Sequence, residues 1–337
     1  MISSANRPQL QVAMTVLLLT WLVACRTSPP PHQPVTVDYH IGSVMRLATL
    51  EEGQELIGKA DEWVRSFGAY DYKVRLDSND ATGEAEFLEF ARSQVLAWKE
   101  HEVEALRTVA ARLLNNLTAL GLNLDVPNEV MLVKTTGREE GGMGGYTRGT
   151  FIVIPEPTLN SELDRLEAFL LHELFHVMTR HDPAIRKPLY ALVGFDHAGP
   201  LDYPGELTPR RITNPDAFHY DSYIEIEIDG SPVKLTPLTL SASESYAGGG
   251  IARNVGVEFL RVEVRDGRMV PVREDGRPVL MSIREMPSEY WRKIGRNTNY
   301  IIHPEEIMAD NFSLAIRQQR NVQNPEILDA LLEVLSE

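Results

Sequence analysis

The residues best suited to chemistry stand in one short run, Leu170-Leu171-His172-Glu173-Leu174-Phe175-His176-Val177-Met178. On a helix, His172 and His176 fall at i and i+4, so both imidazoles project from one face. That spacing lets them share one tetrahedral metal ion at about 2.0–2.1 Å per nitrogen. Glu173 is one residue out of line with the pair. It is poorly placed to coordinate and well placed to take a proton from a water held on the metal. Phe169, Leu170, Leu174, Phe175, Val177 and Met178 are apolar, and the dry shell they promise fixes ligands and strengthens a metal's effect on its water. The plain alternative is a core helix with three polar side chains, each needing a partner.

A third ligand is proposed far downstream, in His303-Pro304-Glu305-Glu306-Ile307-Met308-Ala309-Asp310-Asn311-Phe312. Pro304 suits a first helical turn, and the acidic pair after it suits the positive end of the helix. Glu306 and Asp310 are four apart, hence on one face. Of the acidic pair, Glu306 is taken as the ligand and Glu305 is expected to matter much less. The two motifs together resemble those of the gluzincin metallopeptidases, thermolysin-like in layout, whose third ligand is a glutamate with an aspartate four residues on. The resemblance implies Zn(2+) bound by His172, His176 and Glu306, with Glu173 as general base and Asp310 orienting His172. It covers the two helices and the strand before the first. About 130 residues separate His176 from Glu306, far more than is typical of thermolysin-like enzymes, which implies an insertion between the ligand helices.

Asp182 competes for the third position, since it lies ten residues after His172, where metzincin-like enzymes carry their last ligand. Those enzymes turn at a glycine, and Thr179 stands in that place. For the developing oxyanion, a donor commonly worth about 2.7–4 kcal/mol, the candidates are Tyr300, His303, His219 and Tyr220. Tyr300 is preferred because its short tether to Glu306 keeps it near the metal.

The elements that must position these groups follow from the patterning. Residues 1–24 read as a targeting segment, with Arg7 ahead of an apolar stretch from Val12 to Ala24 that is short for a permanent span. The stretch ends in Leu22-Val23-Ala24-Cys25, which resembles the lipobox of bacterial lipoproteins. Lipidation at Cys25 is what this resemblance implies, and Arg26, in place of an aspartate, favours an outer membrane if the host has one. Cys25 is the only cysteine, so no internal disulfide is available. Residues 25–40 include a proline-rich tether, and 41–125 are expected to be helical. Apolar residues recur at helical spacing over Leu50 to Phe67, Glu84 to Trp98 and Glu102 to Leu120.

The period then changes. Glu129–Lys134 and Tyr146–Ile154 each read as a strand, separated by Gly141-Gly142-Met143-Gly144-Gly145. That run is either a flexible hairpin or a small-residue approach to a cleft edge where a peptide adds as a strand. The metal helix is expected to start near Ser161 and end around Arg180 or His181. From about 200 to 286 the alternation of Tyr223–Ile228 and the Asp229-Gly230, Asp266-Gly267 and Asp275-Gly276 turn signals predict a β-rich insertion. Pro325 to Leu335 closes the chain as an amphipathic helix. The expected class is α+β: a zincin-like core over 126–337, with helices before it and the insertion within it.

A formal charge of −15 argues against nucleic acid, which calls for basic surface. The expectation is a zinc-dependent peptidase, lipid-anchored in a bacterial envelope and acting on a peptide or protein. Two alternatives belong to other classes: a non-catalytic envelope lipoprotein that binds or scaffolds, and a zinc hydrolase of another envelope amide.

Overall fold

In a computed structural model, residues 35–81 and 83–336 are described. Arg7, the apolar stretch and Cys25 lie outside them. Pro34–Glu337 forms one unit, a mixed α+β architecture built on two sheets.

The first sheet begins earlier than the proline-rich composition suggests. β1 (Thr36–His40) and β2 (Ser43–Leu47) form a hairpin around Ile41-Gly42, with Gly42 at φ 81°. Val37, Tyr39, Met45 and Leu47 alternate inward and are buried. Residues 36–40 of the 25–40 tether are thus strand, and the mostly helical region expected over 41–125 opens with a strand before its helices. A period-two pattern only five residues long is easily lost beside prolines and helices. β3 (Glu129–Thr135) runs parallel to β2.

The single strand expected over Tyr146–Ile154 is two: β4 (Tyr146–Arg148) and β5 (Phe151–Pro155), antiparallel to each other. Gly149, at φ 54°, makes the turn between them. The sheet order is β1-β2-β3-β5-β4, which leaves β4 at the edge. Both faces of the parallel strands are apolar, as a covered sheet requires. Leu132, Ile152 and Ile154 meet one helical layer, while Val133 and Val153 meet the other. That second layer holds the short helices Leu50–Ile57, Glu62–Arg65 and Glu84–Ser93. The helical stripe read over Leu50–Phe67 is thus broken after Ile57, where Gly58 caps.

Against the first face pack the long helix Glu100–Leu120 and the histidine helix Leu163–His181. The glutamate helix Pro304–Ile316 packs on the histidine helix, and the closing helix Pro325–Ser336 packs on the glutamate helix. Leu166, Leu170, Leu171, Leu174, Phe175 and Val177 are fully buried.

Between the two ligand helices lies the second sheet: β6 (Phe195–His197), β7 (Ser222–Ile228), β8 (Ser231–Ser241), β9 (Val255–Arg265) and β10 (Arg268–Pro271). It is antiparallel throughout, with Leu280–Ser282 added to β9. Asp229-Gly230, Asp266-Gly267 and Asp275-Gly276 each place two successive residues at positive φ, the backbone of a tight two-residue hairpin turn. Among the described residues no helix is long and apolar enough to cross a membrane.

Candidate metal centre

The histidine and glutamate helices lie side by side and antiparallel. The pairing steps along both: Glu305 against His176, then Asp310 against His172, then Ser313 against the Ala168 carbonyl. Pro304 opens the glutamate helix, and the His303 ring nitrogen accepts from the Glu305 amide as its cap. His303 itself does not line the cleft.

Each histidine is held from outside. Asp310 Oδ1 lies 2.8 Å from His172 Nδ1, and Glu305 Oε1 lies 2.8 Å from His176 Nδ1. A carboxylate on Nδ1 fixes the tautomer that leaves Nε2 free to bind. Both Nε2 atoms turn towards one oxygen, Glu306 Oε2, at 3.0 Å from His172 and 3.6 Å from His176. The rings stand 4.8 Å apart and nearly perpendicular. The donor atoms of His172, His176 and Glu306 all lie within 4.8 Å of one another.

A divalent cation fits this set. His176 Nε2 is buried without a hydrogen-bond partner, an orphaned acceptor that a metal would satisfy. Two imidazole nitrogens and one carboxylate also match a zinc site with room for a further ligand. Without a metal, protons take its place. Burial pushes His172 down, but Asp310 and Glu306 together outweigh it and hold it well above the usual range. Burial likewise lowers His176, while the Asp216 charge and the contacts to Glu305 and Glu306 raise it to about 10.

Glu173 is buried beside the pair, and its Oε2 accepts from Thr147 Oγ1 at 2.8 Å. Burial first, and the nearby Asp216 charge second, push it up to about 8, against the pull of the histidines. A carboxyl raised towards neutrality is matched to taking and returning a proton. Tyr300 lines the same cleft, its ring 6.2 Å from that of His172. The Glu306 charge and burial hold its phenol well above the usual value, so it remains a donor. Thr298 ties it in place: the Thr298 hydroxyl bonds Asp310 and accepts from the Tyr300 amide. Of the other candidates, His219 stacks on Phe218 and Tyr220 on Tyr203. Neither lines the cleft. Asp182 instead caps the turn after the histidine helix, accepting from the Ala184 amide, and takes no part in the cluster.

Four residues at the centre carried no functional signal in the sequence. Glu305 suits the positive end of its helix by sequence and is expected to matter little there, yet it holds His176, Thr179 and Tyr190 together. Its adjacency to Glu306 was the only clue available. Thr147 comes from β4, and Asn214 and Asp216 come from the insertion. Asn214 Nδ2 donates to Glu306 Oε1. Asp216 lies beside Glu173 and His176, all three within 4.8 Å, and its Oδ1 accepts from the Thr147 amide at 2.8 Å. The edge of β4, where an added peptide strand would pair, therefore has its Thr147 amide already engaged. Gly145, just before it, has no room for a side chain: a Cβ there would sit 2.2 Å from the Phe169 ring.

The segment that delivers Asn214 and Asp216 is clamped by a buried ion cluster. Asp71 Oδ1 accepts from the Thr213 amide at 2.7 Å and from its hydroxyl at 2.9 Å, while Arg75 donates to the Thr213 carbonyl at 2.6 Å. Arg75 also binds Asp71 at 2.8 Å and Glu140 through two bonds at 2.8 and 2.7 Å. The cleft so enclosed holds about 1010 Å³. Comparison with protein-family models, curated proteins and solved structures returns no match for this chain.

Proposed function

We propose that the chain is a zinc-dependent metallopeptidase with a zincin-like, gluzincin-type centre. The observation that carries this reading is the convergence of His172 Nε2, His176 Nε2 and Glu306 Oε2, each histidine braced from behind by a carboxylate. Bound at these three residues, zinc supplies Lewis acidity towards a water and towards the scissile carbonyl.

The chain's own groups do the rest. Glu173, held by the Thr147 hydroxyl, takes the proton of the attacking water and returns it to the leaving amine. Tyr300 donates to the oxygen on which charge develops. Asp310 and Glu305 keep the imidazoles in register, and Asn214 fixes the second oxygen of Glu306. Apolar cleft residues such as Phe169, Ile251, Val257 and Leu314 would receive the side chains of a peptide or protein substrate. Anchoring through a lipid on Cys25 in a bacterial envelope belongs to the same proposal. It rests on the Val12–Ala24 stretch and Leu22-Val23-Ala24-Cys25, and Cys25→Ser should release the protein from the membrane fraction.

The test compares wild type with Glu173→Gln for zinc content, thermal melting and cleavage of a mixed peptide library and an unfolded protein. Wild type should retain stoichiometric zinc and cleave. The variant should keep its zinc and melting point while turnover drops by at least roughly 10²–10⁴-fold. Full zinc with near wild-type cleavage would remove Glu173 as the base. A protein that retains no zinc would leave only a binding module.

A further inference from the structure

Charge is unevenly divided along the cleft. Its lining carboxylates, Glu140, Glu173, Asp216, Glu306 and Asp310, belong to the centre or to the Arg75 cluster, and each is hydrogen-bonded. Its lining cations are Arg165 and Arg317. The antiparallel pairing puts these two at the same level of the helix pair. One step beyond His172–Asp310 is Ala168–Ser313, and the next step is Arg165–Arg317. Two guanidiniums at one level of a helix pair repel each other unless an anion lies between them.

Nothing in the fold supplies that anion. Among the described residues neither arginine has a carboxylate within ion-pair distance. The acids nearest to Arg165 in sequence, Asp164 and Glu167, are both taken by Arg112, at 2.9 and 3.2 Å. Asp310, two turns from Arg317, is held by His172 and Thr298. Arg165 is exposed and Arg317 half-buried, so both remain reachable from the cleft.

The position fixes what such a site would read. Arg165 is seven residues before His172 on a continuous helix, roughly 10 Å along the axis at 1.5 Å per residue. An extended peptide covers that distance in about three residues at 3.3–3.6 Å each. Between the two ends the wall is apolar, with Ala168, Phe169 and Leu314 lining the cleft. We infer that Arg165 and Arg317 form a carboxylate subsite, selecting peptides with an acidic group about three residues from the scissile bond and apolar side chains between. The inference deepens the peptidase reading and rests on it for the word scissile. The arginine pair itself is a binding site whether or not cleavage follows. A planar guanidinium pair suits a carboxylate, because each fork can donate two parallel hydrogen bonds.

The experiment uses the full chain as wild type, Arg165→Gln, Arg317→Gln and the double variant, with zinc content and melting point confirming that each is folded. Cleavage sites are mapped in a peptide library. Binding of fluorescent peptides is then measured by anisotropy on the same proteins carrying Glu173→Gln. Peptides come in matched pairs, Glu against Gln at the selected position and free against amidated carboxy terminus. Wild type should prefer the acidic member by about 10- to 100-fold, the range of a charged hydrogen bond converted to affinity. The double variant should lose that preference. Loss on amidation identifies a terminal carboxylate, loss on Glu to Gln a side chain, and either supports the subsite. If the library is cleaved, Glu173→Gln abolishes cleavage and no arginine-dependent acidic preference exists, the subsite falls and the peptidase stands. If no peptide is cleaved but acidic peptides bind through the two arginines, the subsite stands and the peptidase reading falls. If no peptide of the library is cleaved and acidic peptides do not bind, both fall.

Discussion

Two clusters of charge are buried within this molecule, and they are solved differently. Around Arg75, one cation is gripped by Asp71 and Glu140, and its remaining donors reach the carbonyls of Thr213 and Asp71. The cluster closes on itself. Around His172 and His176, five carboxylates (Glu173, Asp216, Glu305, Glu306 and Asp310) crowd two imidazoles, Glu173 is pushed up to about 8, and His176 Nε2 finds no hydrogen-bond partner. That cluster asks for a cation from outside. Burial alone therefore does not mark a functional site. What separates the two is that one balances its own charges, while the other gathers several imidazole and carboxylate donor atoms within reach of one ion.

The largest effect should come from breaking the open cluster. Glu306→Gln keeps the side chain's size and removes a charged ligand, so zinc should be lost on dialysis and turnover with it. Asp182→Ala should leave zinc content at the wild-type level. The opposite pair of results, read by metal analysis, would hand the third position to Asp182.

Breaking the closed cluster should act on stability instead. Arg75→Met strands Asp71 and Glu140 in the interior, a change that costs about 3–5 kcal/mol for a buried pair losing one partner. Denaturant unfolding of the zinc-loaded protein measures it. A loss under about 1 kcal/mol would show that the cluster is not a self-contained support.

The braces come next. Glu305→Gln and Asp310→Asn should each weaken zinc binding or activity by about 10–100-fold, as removal of a carboxylate behind a metal-binding histidine does. The new element is that Glu305 should match Asp310, because both hold an Nδ1 at 2.8 Å. Competition with a chelator measures both, and a silent Glu305→Gln would return that residue to the helix dipole.

The smallest effect is the pH dependence. In the metal-free protein both histidines are held above their ordinary 6.5, His176 at about 10. A raised value means that stabilisation is complete below 6.5 and is lost as pH rises towards 10. Zinc displaces those protons, so its stabilising effect should grow across the same window, and binding should release protons. Calorimetry in buffers of different ionisation enthalpy reads the release. A zinc affinity that is flat from pH 6.5 to 9, with no protons released, would contradict the arrangement.

Local sequence determined what depends on near neighbours. The i, i+4 spacing put His172 and His176 on one face, the same spacing paired Glu306 with Asp310, and Pro304 and the Asp-Gly turns marked where elements begin and reverse. These are properties of backbone geometry over four or five residues, so they survive translation from a string of letters. The Thr36–Leu47 hairpin and the break at Gly149 were less legible, because short strands next to prolines and glycines carry little periodicity. Tertiary structure alone decided which acid faces which histidine. Glu305 and Glu306 are adjacent in the chain, and only the antiparallel docking of the two helices sends one to His176 Nδ1 and the other to both Nε2 atoms. The same docking brings Arg165 and Arg317 to the lining of one cleft. Asn214 and Asp216 reach the centre because Asp71 and Arg75, about 140 residues away, grip Thr213. Contacts between groups so far apart in sequence leave no period, spacing or motif in either segment. They exist only once the core has fixed where each backbone runs.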